Sequence, residues 1–535
     1  MSEQQNTTKR AYRKEMGTFS ATMLSVGAIL GPAIAYTPVS VLGLGGPSGM
    51  LAWAVALILI FPVALCYAEL GAMWPRAGGH AYYPLESNGP LVGIMNGWGA
   101  FFAYTLSVPS IMLALIEYIS FFYKPLFDFN TGFLTNLGLI VALLAMLAIF
   151  VINNFRIIWL GRINNYLTIF ATGIIAVFVI ALFFHFSPVA FNSVHLGGFA
   201  PLGAVGFFAA ITATIYGYAG FTHPVNYAEE LKNPGRSIPR AIILSLIIVF
   251  FIYILESAAF LGSVTWSAEG LSVGNWAGLY TLPAPFVQAL YGYKLAIIAI
   301  LALVATLIDT FKDGVLFFGG GSRIGHNMAR DGRYFPGFLK HMSKNGIPIT
   351  TNVLVLIIGV VFILLMRSFA SLILLVADGF MVSYMLGTLS VQILRKVYPN
   401  EKRPYKIPIV SVLGPFSFVV SSLLIYWSGW NAVWIIIAAW FIGLLFLISY
   451  NRVQKIHAND FKYGIWLPIF LISLLVESYY SQFVNIFVGT GMFVVTAIVF
   501  YYLGYFSGIA YHKHRGPHAG RAAPFVEDSE LSAAE

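Results

Sequence analysis

Long apolar runs recur along almost the whole of this 535-residue chain, and they constrain its fold more than any other feature. A bilayer has a hydrocarbon core roughly 30 Å thick, which about 20 apolar residues cross as an α-helix. Only 10% of the residues are charged, whereas a soluble domain averages roughly 25%. The alternation of polar and apolar residues that marks membrane β-strands does not occur. The sequence therefore predicts an all-α polytopic membrane protein.

Fourteen spans are predicted, and twelve is the alternative count because the last two runs give the weakest pair. The spans lie at residues 17–43, 49–73, 91–120, 132–152, 163–186, 204–222, 240–262, 295–321, 348–366, 369–394, 409–427, 432–450, 463–479 and 483–507.

The distribution of basic residues supports this layout. With the N-terminus inside, all but four of the 30 Lys and Arg residues fall on the inner side. The exceptions are Lys124, Lys294 and Arg367 outside and Lys312 within span 8. Such an excess of basic residues on the cytoplasmic side is the rule for membrane proteins. The net charge of +9 therefore indicates orientation in the cell membrane with both termini cytoplasmic, and no nucleic-acid partner is expected.

Two predicted spans carry helix-breaking residues near their middle. Span 1 contains Gly27, Gly31 and Pro32, and proline removes a backbone donor and clashes with the preceding turn. Span 6 contains Gly217 and Gly220. Paired interrupted spans at corresponding positions of two halves are typical of inverted-repeat secondary transporters, which bind substrate at the breaks. Packing kinks are the alternative for either break alone, and the matched pair favours the transporter.

The predicted substrate site combines the residues of both breaks with the aromatic side chains near them. It comprises Ala28, Ile29, Gly31, Pro32 and Ala33 of span 1, Tyr216, Gly217, Tyr218, Gly220 and Phe221 of span 6, and Phe317 of span 8. Ordinary packing explains each aromatic residue equally well. His223, beside the second break, is a candidate proton carrier, although a structural hydrogen bond is the favoured interpretation.

Several short sequence blocks resemble the amino acid–polyamine–organocation (APC) superfamily, in the family's order. They are YAELG at 67–71, PRAGG at 75–79, AEELKNP at 228–234, ARDG at 329–332 and RPY at 403–405. The resemblance covers roughly residues 17–450, and it implies a LeuT-like fold in which spans 1–5 and 6–10 are inverted repeats. It also implies alternating access to a site where the first break receives an amino acid's carboxylate and span 6 carbonyls receive its amine.

The chain divides accordingly into four parts. They are a cytoplasmic N-terminal segment at 1–16, the inverted-repeat core of spans 1–10 at 17–394, the additional spans 11–14 at 395–507, and a cytoplasmic tail at 508–535.

Three positions depart from the pattern of the family. Gly31-Pro32-Ala33 stands where the family usually has Gly-Ser-Gly, so the carboxylate site loses one N–H donor at Pro32. Thr222 stands where many relatives have a glutamate. Ala171 stands where many proton-coupled relatives have a lysine in span 5.

Span 8 contains charged residues that cannot easily be moved out of the membrane. Its apolar run, 295–308, is too short to cross alone, so the span must continue through Asp309, Lys312 and Asp313. Their spacing places them on one helix face, where Lys312 can pair with Asp309. The resemblance implies a cation site here, shared with span 1, and we expect the Lys312 ammonium to take the place of that cation. The alternative is a displaced span whose triplet is solvated.

Other acidic residues are weaker candidates. Asp378 in span 10 is a further coupling candidate, together with Thr222, and pairing with Arg367 at the outer mouth is its alternative role. Glu117 and Glu256 are expected near span ends or in interhelical hydrogen bonds.

These features predict a secondary active transporter of amino acids or related amines, coupled to protons or exchanging substrates. The weakened carboxylate site and the aspartates leave polyamine or organic-cation transport open, and a transporter-like sensor is a more distant alternative. An enzyme is not expected, because the ten histidines are scattered over loops. No cofactor or metal is predicted, the single cysteine, Cys66, excludes intrachain disulfides, and the oligomeric state stays open.

Overall fold

The structure is a computed structural model of the chain. It describes residues 12–128, 131–155, 157–191, 196–267, 269–279, 282, 284–331, 334–448 and 458–515. Most of the predicted N-terminal segment (1–11) and of the predicted tail (516–535) lies outside the described residues.

Almost all regular structure is helical. The α-helices are α1 (Thr18–Leu30), α2 (Ala33–Gly45), α3 (Gly49–Met73), α4 (Gly79–Asn88), α5 (Pro90–Ser120), α6 (Asn136–Ile152), α7 (Ile157–Phe183), α8 (Gly203–Tyr218), α9 (His223–Asn226), α10 (Pro234–Ser263), α11 (Trp276–Leu279), α12 (Pro285–Gly292), α13 (Ala296–Arg330), α14 (Ile349–Met366), α15 (Phe369–Val397), α16 (Val410–Trp427), α17 (Trp430–Phe441), α18 (Ala458–Phe461), α19 (Trp466–Tyr480) and α20 (Ile486–Arg515). A short antiparallel hairpin, β1 (Phe127–Asp128) and β2 (Phe133–Leu134), joins α5 to α6.

Helices lie at every predicted span position. Within the described part of the chain, ten helical segments are long and apolar enough to cross a membrane, and α1, α6 and α19 are shorter apolar helices. The protein is therefore an all-α polytopic membrane protein. Apolar residues such as Trp159, Ile357 and Val495 are exposed on these helices, and we expect those helix faces to contact lipid.

Both predicted interruptions are real breaks in the helices. Span 1 consists of α1 and α2, which are separated by Gly31 with a φ of +34° and by Pro32. Span 6 consists of α8 and the short α9, which are separated by a segment containing Gly220 with a φ of +106°. A side chain at Gly220 would collide with the carbonyl of Ala28, so the two breaks touch each other.

The core places the broken helices beside the charged helix. α13 packs along α5, α7 and α1, and α10 packs along α3 and α1. α15 packs along α5 and α16. The breaks and the charged triplet of α13 therefore lie together, away from lipid.

Candidate functional site

A small cavity lies where the two broken spans meet. It is lined by Ala28, Ile29, Pro32, Ala33, Ser107, Ile111, Tyr216, Ala219, Asp313, Phe317, Val376 and Phe380. The free space is about 10 Å³, which is roughly the room that one water molecule needs. A larger molecule therefore enters only when the lining side chains or the helices that carry them move.

Six of the eleven residues predicted to bind substrate line this cavity. They are Ala28, Ile29, Pro32, Ala33, Tyr216 and Phe317. Gly31 and Gly220 do not line the cavity, but each lets a neighbouring group approach the backbone closely beside it. A side chain at Gly31 would collide with the Asp313 carboxylate, as one at Gly220 would with the Ala28 carbonyl.

The remaining three predicted residues lie away from the cavity. Gly217 lies against the indole of Trp53, and Tyr218 donates its hydroxyl to the Trp53 carbonyl at 3.1 Å. The Phe221 ring packs on the Tyr384 ring with centroids 4.7 Å apart. Gly217 and Tyr218 are the last residues of α8 and lie on other faces of that helix than Tyr216. Phe221 follows the break, where the chain has left the helical path.

Helices α5 and α15 contribute lining residues that the sequence analysis missed. They are Ser107, Ile111, Val376 and Phe380. Ser107 is a hydroxyl in an apolar span, two residues before a proline, and this was a usable signal. Ile111, Val376 and Phe380 have no such sequence signal, because their position at the cavity depends on which face of each helix packs inward.

The Lys312 ammonium joins three helices in the protein interior. Its Nζ atom lies 2.6 Å from Asp309 Oδ1, 2.9 Å from Thr168 Oγ1 of α7 and 3.4 Å from the Gly27 carbonyl oxygen of α1. These three partners match the three donors of an ammonium. Lys312 is 4% exposed and Asp309 is 0% exposed, so the pairing predicted from spacing is confirmed and the solvated alternative is wrong.

Helix α7 therefore meets the ammonium through Thr168 rather than Ala171. Thr168 lies close to Asn164, one turn earlier, with 3.5 Å between the hydroxyl oxygen and the amide oxygen. Two buried polar side chains four residues apart in an apolar span mark a polar helix face. That signal was present in the sequence and was not used.

Asp313 is the acidic residue of the cavity. Its side chain is 3% exposed and its carboxylate lies against the Gly31 backbone, inside the first break. It interacts electrostatically with Tyr216 across the cavity. The same helix therefore presents one carboxylate to the ammonium and another to the cavity.

Thr222 belongs to a buried hydroxyl cluster beside the second break. Its Oγ1 lies 2.8 Å from the Tyr104 hydroxyl and 3.2 Å from the Tyr384 hydroxyl. His223 Nδ1 lies 3.0 Å from the Gly220 carbonyl, and because a carbonyl only accepts, this nitrogen carries the hydrogen. His223 thus has the structural hydrogen bond that the sequence analysis favoured.

Asp378 lies outside the cavity lining, although it is 2% exposed. It accepts a hydrogen bond from the Ser428 hydroxyl at 2.7 Å. Arg367 instead donates to the Leu364 carbonyl, and no ion pair joins Asp378 to Arg367 in the described structure. The alternative role of Asp378, pairing with Arg367, is therefore wrong.

The family blocks converge at the end of the molecule where α1 begins. The Arg323 guanidinium donates twice to Glu230, at 2.6 and 2.9 Å, and stacks on the Tyr227 ring at 3.9 Å. The backbone N–H groups of Glu15 and Met16 donate to the Glu230 carbonyl. This cluster, which we name the Arg323 network, ties the start of α1 to α13 and to the loop after the second break.

A second ion-pair group adjoins this network. Arg330 bonds to Glu229 at 2.6 Å and to Asp331 at 2.8 Å. Burial works to raise the pKa of Asp331, but the Arg330 guanidinium prevails and holds that pKa below its usual range. For Glu230 burial is the stronger influence, and it keeps the pKa above its usual range despite Arg323.

Replacing Gly220 by alanine is expected to destabilise the protein. The left-handed backbone costs a residue with a side chain about 1–3 kcal/mol, and the new methyl group would collide with the Ala28 carbonyl. Thermal unfolding of the purified protein in detergent measures the effect. Gly17→Ala is the control, since nothing lies within 4 Å of a methyl group there. Equal unfolding temperatures for the two variants would contradict the close approach of the breaks.

Two interrupted membrane helices that meet at a buried, partly polar cavity define a membrane transport protein. The chain belongs to the amino acid permease family, whose sequence profile matches residues 16–447. The predicted membership of the APC superfamily is thereby confirmed.

Named transport proteins are similar to this chain over most of their length. The glutamate/serine transporter AimA of Bacillus subtilis (strain 168) is 28% identical over 481 residues, which cover 87% of each chain. The aspartate-proton symporter of the same organism is 29% identical over 88% of this chain and 91% of its own. The serine/threonine exchanger SteT of that organism is 27% identical over 78% of this chain and 93% of its own.

Proposed function

We propose that this protein is a secondary active transporter that carries amino acids across the cell membrane by alternating access. The core at 17–394 is a LeuT-like pair of inverted repeats, residues 395–507 add four spans, and both termini are cytoplasmic. The observation that carries the proposal is the meeting of both breaks at one cavity that also contains a carboxylate, Asp313.

The cavity offers complementary partners to the two ends of an amino acid. The α2 helix begins at Ala33, so its N-terminus adjoins the cavity and favours the substrate carboxylate. Asp313 and the backbone carbonyls of the second break favour the amine. Pro32 supplies no N–H, which leaves the carboxylate to the amides of the first turn of α2.

The named relatives support small polar and acidic amino acids as the substrate class. Their names specify glutamate and serine, aspartate with a proton, and serine and threonine. A free space of about 10 Å³ suits a closed conformation of the transport cycle. Polyamine transport stays as the second candidate, because the only ionisable acid or base among the lining residues, apart from the Tyr216 phenol, is the Asp313 carboxyl group.

Coupling is proposed to act through charges that the protein itself carries. The Lys312 ammonium bridges α1, α7 and α13, as a bound cation would at the same place. Asp309 and Asp313 complete this cluster, and Thr222 and Asp378 are the more distant coupling candidates. An ionisable residue buried in a membrane protein is by default part of a functional pathway.

A substrate is expected to stabilise the purified protein against heat. A ligand at 100 times its dissociation constant that binds only the folded form adds about 2.7 kcal/mol. Serine, threonine, glutamate, aspartate, spermidine and putrescine are compared at matched ionic strength. Each stabilising compound is then tested for counterflow in proteoliposomes, which a carrier supports and a channel or enzyme does not. Stabilisation by polyamines alone would favour the second candidate, and absence of counterflow with every compound would contradict a carrier.

A further inference from the structure

Glu256 is a buried carboxyl group that the proposed site does not use. It lies on α10, seven residues before that helix ends, and its side chain is 0% exposed. Neither carboxylate oxygen has a hydrogen-bond partner among the described residues. Of the two placements expected from the sequence, near a span end or in an interhelical hydrogen bond, the hydrogen bond is therefore not formed among the described residues.

The helix of Glu256, α10, packs along α3, α1 and α7, and the titratable groups that influence the carboxyl group electrostatically come from three helices. Asp309 of α13, Tyr118 of α5 and Tyr253 of α10 itself all interact with it electrostatically. None of these groups is a cation. The Lys312 ammonium is held by Asp309, Thr168 and Gly27, which account for its three donors.

The segment of α10 around Glu256 is attached to both halves of span 1. Tyr253 donates its hydroxyl to the Ile29 carbonyl at 2.9 Å, at the end of α1. Ser257 lies 3.4 Å from the Pro38 carbonyl of α2 and accepts from the indole of Trp53 at 2.9 Å. Any change in the angle between α1 and α2 therefore alters the surroundings of Glu256.

The charge balance decides the state of Glu256 in this closed conformation. The Lys312 ammonium is paired with Asp309, and neither oxygen of Glu256 has a hydrogen-bond partner in the described structure. An ionised carboxylate that is buried without a partner is so costly that the group binds a proton instead. When the breaks separate and water enters, the ionised form becomes solvated and the proton is released to that water.

We propose that Glu256 is the residue that takes up the cotransported proton and holds it while the cavity is closed. The proton binds to a carboxylate oxygen from water on one side of the membrane and leaves the same group to water on the other side. Asp309 favours the proton-bound state through its adjacent negative charge. This proposal rests on the proposed transport function, and it assigns the moving proton to α10 rather than to the Lys312 pair.

Glu256→Gln separates this proposal from transport itself. The amide keeps the size of the side chain and stays neutral, so exchange continues while coupling is lost. In proteoliposomes, counterflow of labelled L-serine, L-glutamate or L-aspartate is expected to stay within about twofold of the unmodified protein. An imposed gradient of one pH unit supports about tenfold accumulation for a one-proton symporter, and this accumulation is expected to disappear. Glu477→Gln, the same change on α19 outside the core, is the control.

The outcomes are distinct. Gradient-driven accumulation by Glu256→Gln at the level of the unmodified protein overturns the assignment of the proton to Glu256. Absence of counterflow in the unmodified protein overturns the transport function instead. If the glutamine variant does not fold, Glu256→Asp keeps a titratable group at a shifted position, and uptake is expected to reach half its maximum at a different pH. An unchanged pH profile for that variant also overturns the assignment.

Discussion

Replacement of Lys312 by methionine is expected to abolish transport in every mode, including counterflow. The substitution leaves the Asp309 carboxylate buried without its cation, and breaking one partner of a buried ion pair costs about 3–5 kcal/mol. It also removes the contacts of α13 with the Gly27 carbonyl and Thr168. Methionine has nearly the same length, so the loss comes from charge rather than from packing volume.

Uptake and counterflow in proteoliposomes measure this effect, and thermal unfolding in detergent separates it from loss of the fold. Lys396→Met, at an exposed position near the end of α15, is the matched control. The double variant Asp309→Asn/Lys312→Met removes both charges and is expected to regain thermal stability without regaining transport. A Lys312→Met protein that keeps full, pH-dependent accumulation would contradict any role of this cation in coupling.

The features of this site that could be predicted from sequence are those that interrupt an apolar pattern. Gly31-Pro32 and Gly220 interrupt two spans, and the structure contains both breaks. Asp309 and Lys312 interrupt a third, and their spacing on one helix face produced the observed pair. Burial of a charge in a membrane is so unfavourable that such residues carry information even in a single sequence.

The features that could not be predicted depend on how helices rotate against one another. Val376 and Phe380 resemble any apolar residues of a span, and only packing places them at the cavity. Tyr218 and Phe221 show the reverse case, because Tyr218 lies on another face of α8 than Tyr216 and Phe221 follows the break. The sequence shows Glu256 as an ionisable residue in an apolar span. Its lack of a hydrogen-bond partner could not be predicted, because it depends on how the surrounding helices pack.

Ion pairs join the sequence blocks that resemble the family to one another. The 67–71 block and the 403–405 block meet where Glu69 pairs with Arg403 at 3.4 Å and also with Arg395. The 228–234 and 329–332 blocks meet through Glu229 and Arg330. These contacts hold loops together at one end of the molecule. The blocks that resemble the family therefore relate to the closure of that end more directly than to the choice of substrate.

Arg323→Ala is expected to open that end of the molecule. Arg323 is 5% exposed and bonds to both oxygens of Glu230, so its removal leaves a buried carboxylate and costs about 3–5 kcal/mol. Conformations in which α1 separates from α13 avoid that penalty because water reaches Glu230. A bias of this size approaches the roughly 5.5 kcal/mol that inverts a 1:99 equilibrium, so the open state is expected to become the major one.

Alkylation of a single cysteine placed in the cavity measures this opening. Ala28→Cys on a Cys66→Ser background provides the reporter, because Ala28 lines the cavity and the natural thiol is removed. A membrane-impermeant maleimide applied from the side of the Arg323 network is expected to react about tenfold faster or more in the Arg323→Ala variant. Arg236→Ala, an exposed arginine at the start of α10, is the control. An unchanged reaction rate in a folded Arg323→Ala protein would show that the network does not hold the cavity closed, since its loss would then leave access from that side unaltered.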